Sequence, residues 1–282
     1  MIGTQAVRDY PYGSHPSQFV RLHLPPDGDR LPVAVVIHGG FWRQRYGIEL
    51  ADPLCADLAA HGVAAAAVEY RRVDRTLRDG GRSATNTASE AGGGWPMTLA
   101  DVARAVDSLE ASGQVVARGR LDLDRVAAVG HSAGGHLAAW LTHRGSLRVG
   151  AAGSVDPADT SVSVRGAVAQ AGVLDLAAAA RDRLGAGAVI DLMEGSPGSV
   201  AQRYHHASPI AHVGDGARVI CVHGDADDTV PVDQSQRYVA AAMAAGDPAE
   251  LVVLPGVGHF EVIEVGHPAW AVCRDRLLGL LA

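Results

Sequence analysis

Hydrophobic positions run along this chain in two alternating textures. Short unbroken apolar runs, rich in Val, Ile and Ala, fall at 33–37, 63–69, 125–129, 166–170, 218–222 and 250–254. Between them, apolar residues recur at the spacing of one helix face over 48–61, 97–112, 133–143, 233–245 and 270–281. Unbroken runs of strand length suit strands covered on both faces, whereas three- and four-residue spacing suits amphipathic helices. The alternation predicts an α/β fold, a mostly parallel central sheet with helices on both faces. An antiparallel pair, 18–24 with 33–37, is expected to open the sheet, because Pro25-Pro26-Asp27-Gly28 between them is turn chemistry.

Two segments break the rhythm. Residues 71–94 form a long polar stretch rich in Arg, Gly, Ser and Thr, which reads as a flexible loop. Residues 173–213 carry their own apolar positions, including Leu176, Leu184, Val189, Leu192 and Met193. They read as short helices forming a small cap-like insertion. Neither an internal repeat nor a linker interrupts the pattern, so residues 1–282 are expected to form one domain.

Composition narrows the partners. With 48% hydrophobic and 20% charged residues over 282 positions, the chain can bury a large core. A formal charge of -7 argues against nucleic acid, whose binding footprint is basic. All the basic residues are Arg, with no Lys. The first residues lack a basic flank followed by an apolar core, and no run approaches the ~18 apolar residues of a membrane helix. The expectation is a cytoplasmic protein that acts on a small molecule. Cys55, Cys221 and Cys273 are too scattered for a disulfide framework or a zinc site. No G-x-G-x-x-G follows a strand, Asp225 to Asp228 lack calcium-loop spacing, and there is no H-E-x-x-H. No cofactor and no metal are expected.

Candidate chemistry begins at Gly130-His131-Ser132-Ala133-Gly134, a G-x-S-x-G pattern. The pattern alone is weak in so glycine-rich a chain; its position between a predicted strand and a predicted helix gives it meaning. A turn that tight strains the serine backbone, needs small neighbours, and exposes the hydroxyl at the carboxyl edge of the sheet. Ser132 is the candidate nucleophile, and the Ala133 amide lies at a helix N-terminus, where negative charge is favoured. Upstream, His38-Gly39-Gly40-Phe41-Trp42 follows the 33–37 strand. Approachable backbone amides there suit an oxyanion hole made by Gly40, Phe41 and Ala133.

A serine nucleophile needs a base, and the base needs an orienting carboxylate. His259, in the glycine-rich loop after the last strand, is the candidate base, with His267 a weaker one. Asp227, in the turn after 218–222, is the candidate acid, with Asp225, Asp228 and Asp175 as alternatives. His131 is too constrained to swing onto Ser132 and is placed with Trp42, Trp95, Leu176 and Met193 in the substrate pocket. His205, His206 and His212 could at most line that pocket.

These residues resemble the α/β-hydrolase superfamily. Within it, His38 to Trp42 and Gly130 to Leu137 look most like the small esterase and kynurenine-formamidase-like (arylformamidase) branch. Tyr12-Gly13, Gln18, Gly94-Trp95-Pro96 and His223-Gly224-x-x-Asp227-x-x-Val230-Pro231 are similar to it as well. Phe41 departs from hormone-sensitive-lipase-like esterases, which tend to have a third Gly there. The resemblance implies a Ser-His-Asp carboxylesterase working on a small ester or amide through an acyl-enzyme. An arylformamidase opening N-formylkynurenine is the alternative, and a non-catalytic binding protein the remote one.

Overall fold

The computed structural model describes residues 5–74, 92–155 and 161–282. The expected flexible loop 71–94 lies for the most part outside them. Among the described residues eight strands form one sheet in the order β1-β2-β4-β3-β5-β6-β7-β8: β1 (Ala6–Pro11), β2 (Phe19–Leu24), β3 (Leu31–Ile37), β4 (Ala64–Val68), β5 (Leu121–His131), β6 (Ala167–Gln170), β7 (Val219–Gly224) and β8 (Glu250–Leu254). From β4 to β8 all neighbours run parallel, as the unbroken apolar runs predict.

The opening pair is a correction. β2 does not lie against β3; it pairs antiparallel with β1 on one side and with β4 on the other. β1 escapes a reading by hydrophobicity because it is an edge strand with one buried residue, Tyr10. The parallel β3–β4 pairing then takes the place beside β3 that the Pro-Pro-Asp-Gly turn suggested for β2.

Strand alternation explains the two-sided core. Val33, Val35 and Ile37 of β3, with Ala64, Ala66 and Val68 of β4, face one core cluster. Ala34, Val36, Ala65 and Ala67, the residues between them, face the other. The first face is covered by α2 (Met97–Asp107) and α3 (Ala133–Thr142); the second by α1 (Asp52–Ala60) and, at the chain end, α8 (Pro268–Leu281). In the 173–213 segment α4 (Leu176–Arg181), α5 (Leu184–Met193) and α6 (Ala201–Ala207) join the first face, and α7 (Asp233–Ala245) packs beside β7. The predicted helix over 97–112 ends as α2 at Asp107 and continues as a π-helical turn. Among the described residues no helix is long and apolar enough to cross a membrane, and no three His, Cys, Asp or Glu side chains cluster as a metal site. The three cysteines are free and buried.

Because β3 to β8 are parallel, the loops after β3, β5, β7 and β8 all emerge at one edge of the sheet. That edge collects the sequence-predicted residues.

Candidate active site

The turn from β5 into α3 leaves Ser132 at φ 56°, ψ −115°, far from any relaxed region for a side-chain-bearing residue. The strain is held from both sides: the Ser132 amide donates to the Gln170 carbonyl at 2.8 Å, and α3 begins at the next residue. Close approach explains the glycines. A Cβ on Gly134 would stand 2.0 Å from the Ile37 carbonyl oxygen, and one on Gly130 would stand 2.2 Å from that of Gly134. Helix α3 therefore starts directly against the end of β3, bringing elbow and His-Gly-Gly loop together.

In that loop Gly40 sits at φ 108°, and Phe41 and Trp42 are both left-handed at φ 54°. Among the described residues the amides of Gly40, Phe41 and Ala133 donate to no backbone carbonyl. His38 fixes the base of the loop: its Nδ1 donates to the Gly39 carbonyl at 2.8 Å, and its ring stacks on Tyr70 at 4.5 Å. Tyr70 in turn donates its hydroxyl to the His38 carbonyl at 3.0 Å. Burial pushes the His38 imidazole down to about 4, so it is neutral.

On the other side of the elbow, His259 Nδ1 donates to Asp227 Oδ2 at 2.7 Å, and both side chains are buried. The remaining oxygen of Asp227 accepts the Thr229 and Val230 amides, each at 2.8 Å. A second imidazole reaches the carboxylate: His223 Nε2 lies 3.3 Å from Oδ2 while donating to the Val230 carbonyl at 2.9 Å. Ser235 donates its hydroxyl to His223 Nδ1 at 2.8 Å, which fixes that tautomer. Burial would raise the Asp227 carboxyl, but hydrogen bonds from His223, His259 and the Val230 amide outweigh it and hold it well below the ordinary carboxylate range. With Nδ1–H committed to Asp227, Nε2 of His259 is left as the basic nitrogen. Ser132 Oγ makes no hydrogen bond to a described residue, so the geometry joins the candidate acid to the candidate base but leaves the contact with the hydroxyl open. Catalytic hydrogen bonds of this kind often close only when substrate is bound.

The other candidates stand elsewhere. Asp175 caps α4 by accepting the Ala178 amide at 2.9 Å. Asp225 accepts the Gly256 amide at 2.6 Å, tying the β7 turn to the β8 loop, and Asp228 accepts the neighbouring Thr229 hydroxyl. His267 caps α8 through the Ala269 amide. His206 and His212 spend Nε2 on the Ala152 and His206 carbonyls.

Residues 21–241 match the family model BD-FAE. The chain belongs to the BD-FAE family. Among relatives, a probable isoprenylcysteine alpha-carbonyl methylesterase of Arabidopsis thaliana is 24% identical over 272 residues, covering 92% of this chain. The chain spans 58% of that protein's length. Among solved structures, a truncated carbohydrate esterase from gut microbiota is similar with a TM-score of 0.75 and 20% identity, over 99% of this chain and 96% of its own. Thermogutta terrifontis esterase 2 phosphoramylated by tabun gives 0.71 and 23%, over 100% and 97%. The fold of this BD-FAE chain is thus the α/β-hydrolase fold that the motifs resemble; these relatives do not specifically support the arylformamidase branch.

Three of the residues expected in the pocket of this BD-FAE protein lie in its core instead. Trp42, Leu176 and Met193 have 0% exposure and belong to the first core cluster, so they offer no surface to a ligand. The reason is local: left-handed backbone at Phe41 and Trp42 turns the Trp42 ring inward against His136 (5.3 Å, edge-on), and α4 and α5 turn their apolar faces to the sheet. Trp95 is half-buried against His206 and donates its amide to the Leu192 carbonyl. His131 packs against His259. The exposed aromatic beside the base is Phe260, 65% exposed with its ring 5.1 Å from His259; Phe41 packs half-buried on Gly185 of α5. No sequence pattern singles out Phe260, because a single aromatic next to a candidate base is no pattern. His223 had a signal, its four-residue spacing from Asp227 after a strand.

Proposed function

We propose that this chain is a serine hydrolase that cleaves a small carboxylic ester through an acyl-enzyme, with Ser132 as nucleophile, His259 as base and Asp227 as acid. The observation that carries the reading is the buried 2.7 Å Asp227–His259 hydrogen bond at the sheet edge where the strained Ser132 elbow also stands. Chain order agrees with the fold: nucleophile after β5, acid after β7, histidine after β8. The names of the relatives, a methylesterase and two esterases, point the same way.

In the proposed cycle His259 Nε2 takes the Ser132 proton as Oγ attacks the ester carbonyl. The tetrahedral oxyanion accepts from the Ala133 and Phe41 amides, with Gly40 close by, in a setting where such donors carry a large part of the rate. His259 then protonates the departing alcohol. Water, deprotonated by the same nitrogen, releases the acid and regenerates Ser132. Asp227 keeps the proton on Nδ1 and stabilises the imidazolium. Residues 173–213 are read as a cap-like insertion on a single domain.

The test is Ser132→Ala on p-nitrophenyl acetate. Turnover should fall about a thousandfold or more with the melting temperature unchanged; turnover equal to the parent's would overturn the assignment. A parallel assay on N-formylkynurenine separates the ester reading from arylformamidase. Failure of a fluorophosphonate probe to label Ser132 would favour a non-catalytic binding protein.

A further inference from the structure

His131, a pocket residue by the sequence reading, makes a long-range main-chain bond. Its Nε2 donates to the backbone carbonyl of His259 at 2.8 Å, across 128 residues of chain, and the two rings lie 4.4 Å apart, inclined at 49°. The side chain is buried, and burial, reinforced by the nearby His259, pushes the imidazole down to about 3, so it stays neutral at any working pH. A carbonyl partner requires the Nε2–H tautomer. The bond therefore runs from the residue before the nucleophile to the main chain of the residue that carries the base.

We infer that His131 is a positioning residue, a clamp whose Nε2–H fixes the His259 main chain and so sets where the base stands relative to Ser132. The inference rests on the proposed Ser132–His259–Asp227 reading and deepens it. Asp227 fixes the rotation of the His259 ring but not the height of the loop that carries it. The other described ties to that loop come from β7, where the Asp225 carboxylate accepts the Gly256 amide and the Ala226 amide donates to the Val257 carbonyl at 3.1 Å, and from β6, where Gln170 donates Nε2 to the Val262 carbonyl three residues past His259. Only the His131 clamp, among the described contacts to His259, starts from the elbow. Because Ser132 Oγ and His259 are not hydrogen-bonded here, the distance between them is left to such main-chain ties, and an error of about 1 Å at this point costs on the order of 100-fold in rate.

The stereochemistry of the donor supplies the test. A glutamine amide nitrogen falls where histidine Nε2 stands; an asparagine amide nitrogen falls where Nδ1 stands. In the full chain, with p-nitrophenyl acetate as substrate, His131→Gln should keep kcat within about threefold. His131→Asn and His131→Leu should lower kcat at least about 30-fold, with KM within about twofold. A residue needed only for packing would not sort Gln from Asn in kcat alone. Equal kcat for the Gln and Asn variants, or parental kcat in all three, overturns the clamp. Parental activity in Ser132→Ala would instead overturn the nucleophile reading beneath it, so the two failures are distinguishable. Should the variants not fold, nitrogen-15 spectra of the wild-type chain decide. The imidazole with a nuclear Overhauser contact to the His259 ring should be the neutral Nε2–H tautomer from pH 5 to 9, and an Nδ1–H tautomer there overturns the proposal.

Discussion

At the scale of single residues, the carboxylate of Asp227 has the most to hold. It accepts two backbone amides on one oxygen and two imidazoles on the other, which keeps it ionised far into acid. Asp227→Asn tests what that charge does. The asparagine oxygen can still accept the Thr229 and Val230 amides, so the turn keeps its shape. Its amide then presents donors to His259 Nδ1, which must become an acceptor. The proton moves to Nε2, the nitrogen that takes the Ser132 proton in the proposed cycle. The expected outcome is a loss of about 10³- to 10⁴-fold in kcat with little change in KM, measured on p-nitrophenyl acetate; loss of less than tenfold would place the acid elsewhere. This part of the site was legible in sequence, because G-x-S-x-G, a turn aspartate and a last-loop histidine follow chain order. The partners of His131 and His223 were not. Each depends on how far its strand end projects beside another, which residue identities do not state.

At the scale of elements, the site rests on α3 starting hard against β3, and Gly134 is the contact point. Its missing Cβ is what lets the Ile37 and His38 carbonyls come so close, since a methyl would lie 2.0 and 2.6 Å from them. Gly134→Ala must push the first turn of α3 away from the His-Gly-Gly loop, displacing the Ala133 amide from the Phe41 amide. The expected cost is about 1–3 kcal/mol of stability, with activity lost out of proportion to it. Gly145→Ala, where a Cβ would meet nothing within 4 Å, is the control and should leave both within error. Thermal unfolding together with the esterase assay reads both effects. Equal behaviour of the two variants would show that the close approach is not needed. Element existence was legible where an apolar run or a helical spacing is continuous: the parallel strands and α3, α7 and α8 stand within a few residues of those patterns. It failed at β1, where Tyr10 is the one buried residue and no apolar run exists, and where the fold rather than the pattern decides the neighbour, as in the β2–β4 pairing. The inward placing of Leu176 and Met193 escaped the sequence for a related reason: apolar residues in the 173–213 segment serve the shared core, and periodicity does not say which wall they turn to.

At the scale of the whole molecule, three histidines kept neutral by burial stand around the same sheet edge and link its parts. His38 braces the loop after β3, His131 ties the elbow to the β8 loop, and His136 of α3 donates to the Ala207 carbonyl of α6 at 2.8 Å. Burial holds them at about 4, about 3 and about 4, against an ordinary value of 6.5. Folded-state values below unfolded ones mean that, as pH falls below 6.5, the unfolded chain takes up protons that the folded chain refuses. Stability conferred by the neutral forms is therefore present above about pH 6.5 and is lost between there and about pH 4. Three imidazoles taking up protons together make the loss steeper than any one of them would alone. Asp227, whose carboxyl is depressed from 3.8, adds its own loss only below that window. The urea midpoint should accordingly hold steady from pH 9 to about 7 and then fall as the pH drops toward 4. His136→Gln keeps a donor for Ala207 but removes one titrating group, so it should flatten the fall and move the acid midpoint downward by a few tenths of a unit. A wild-type midpoint that stays level to pH 4 would mean that these imidazoles are not held neutral by the fold.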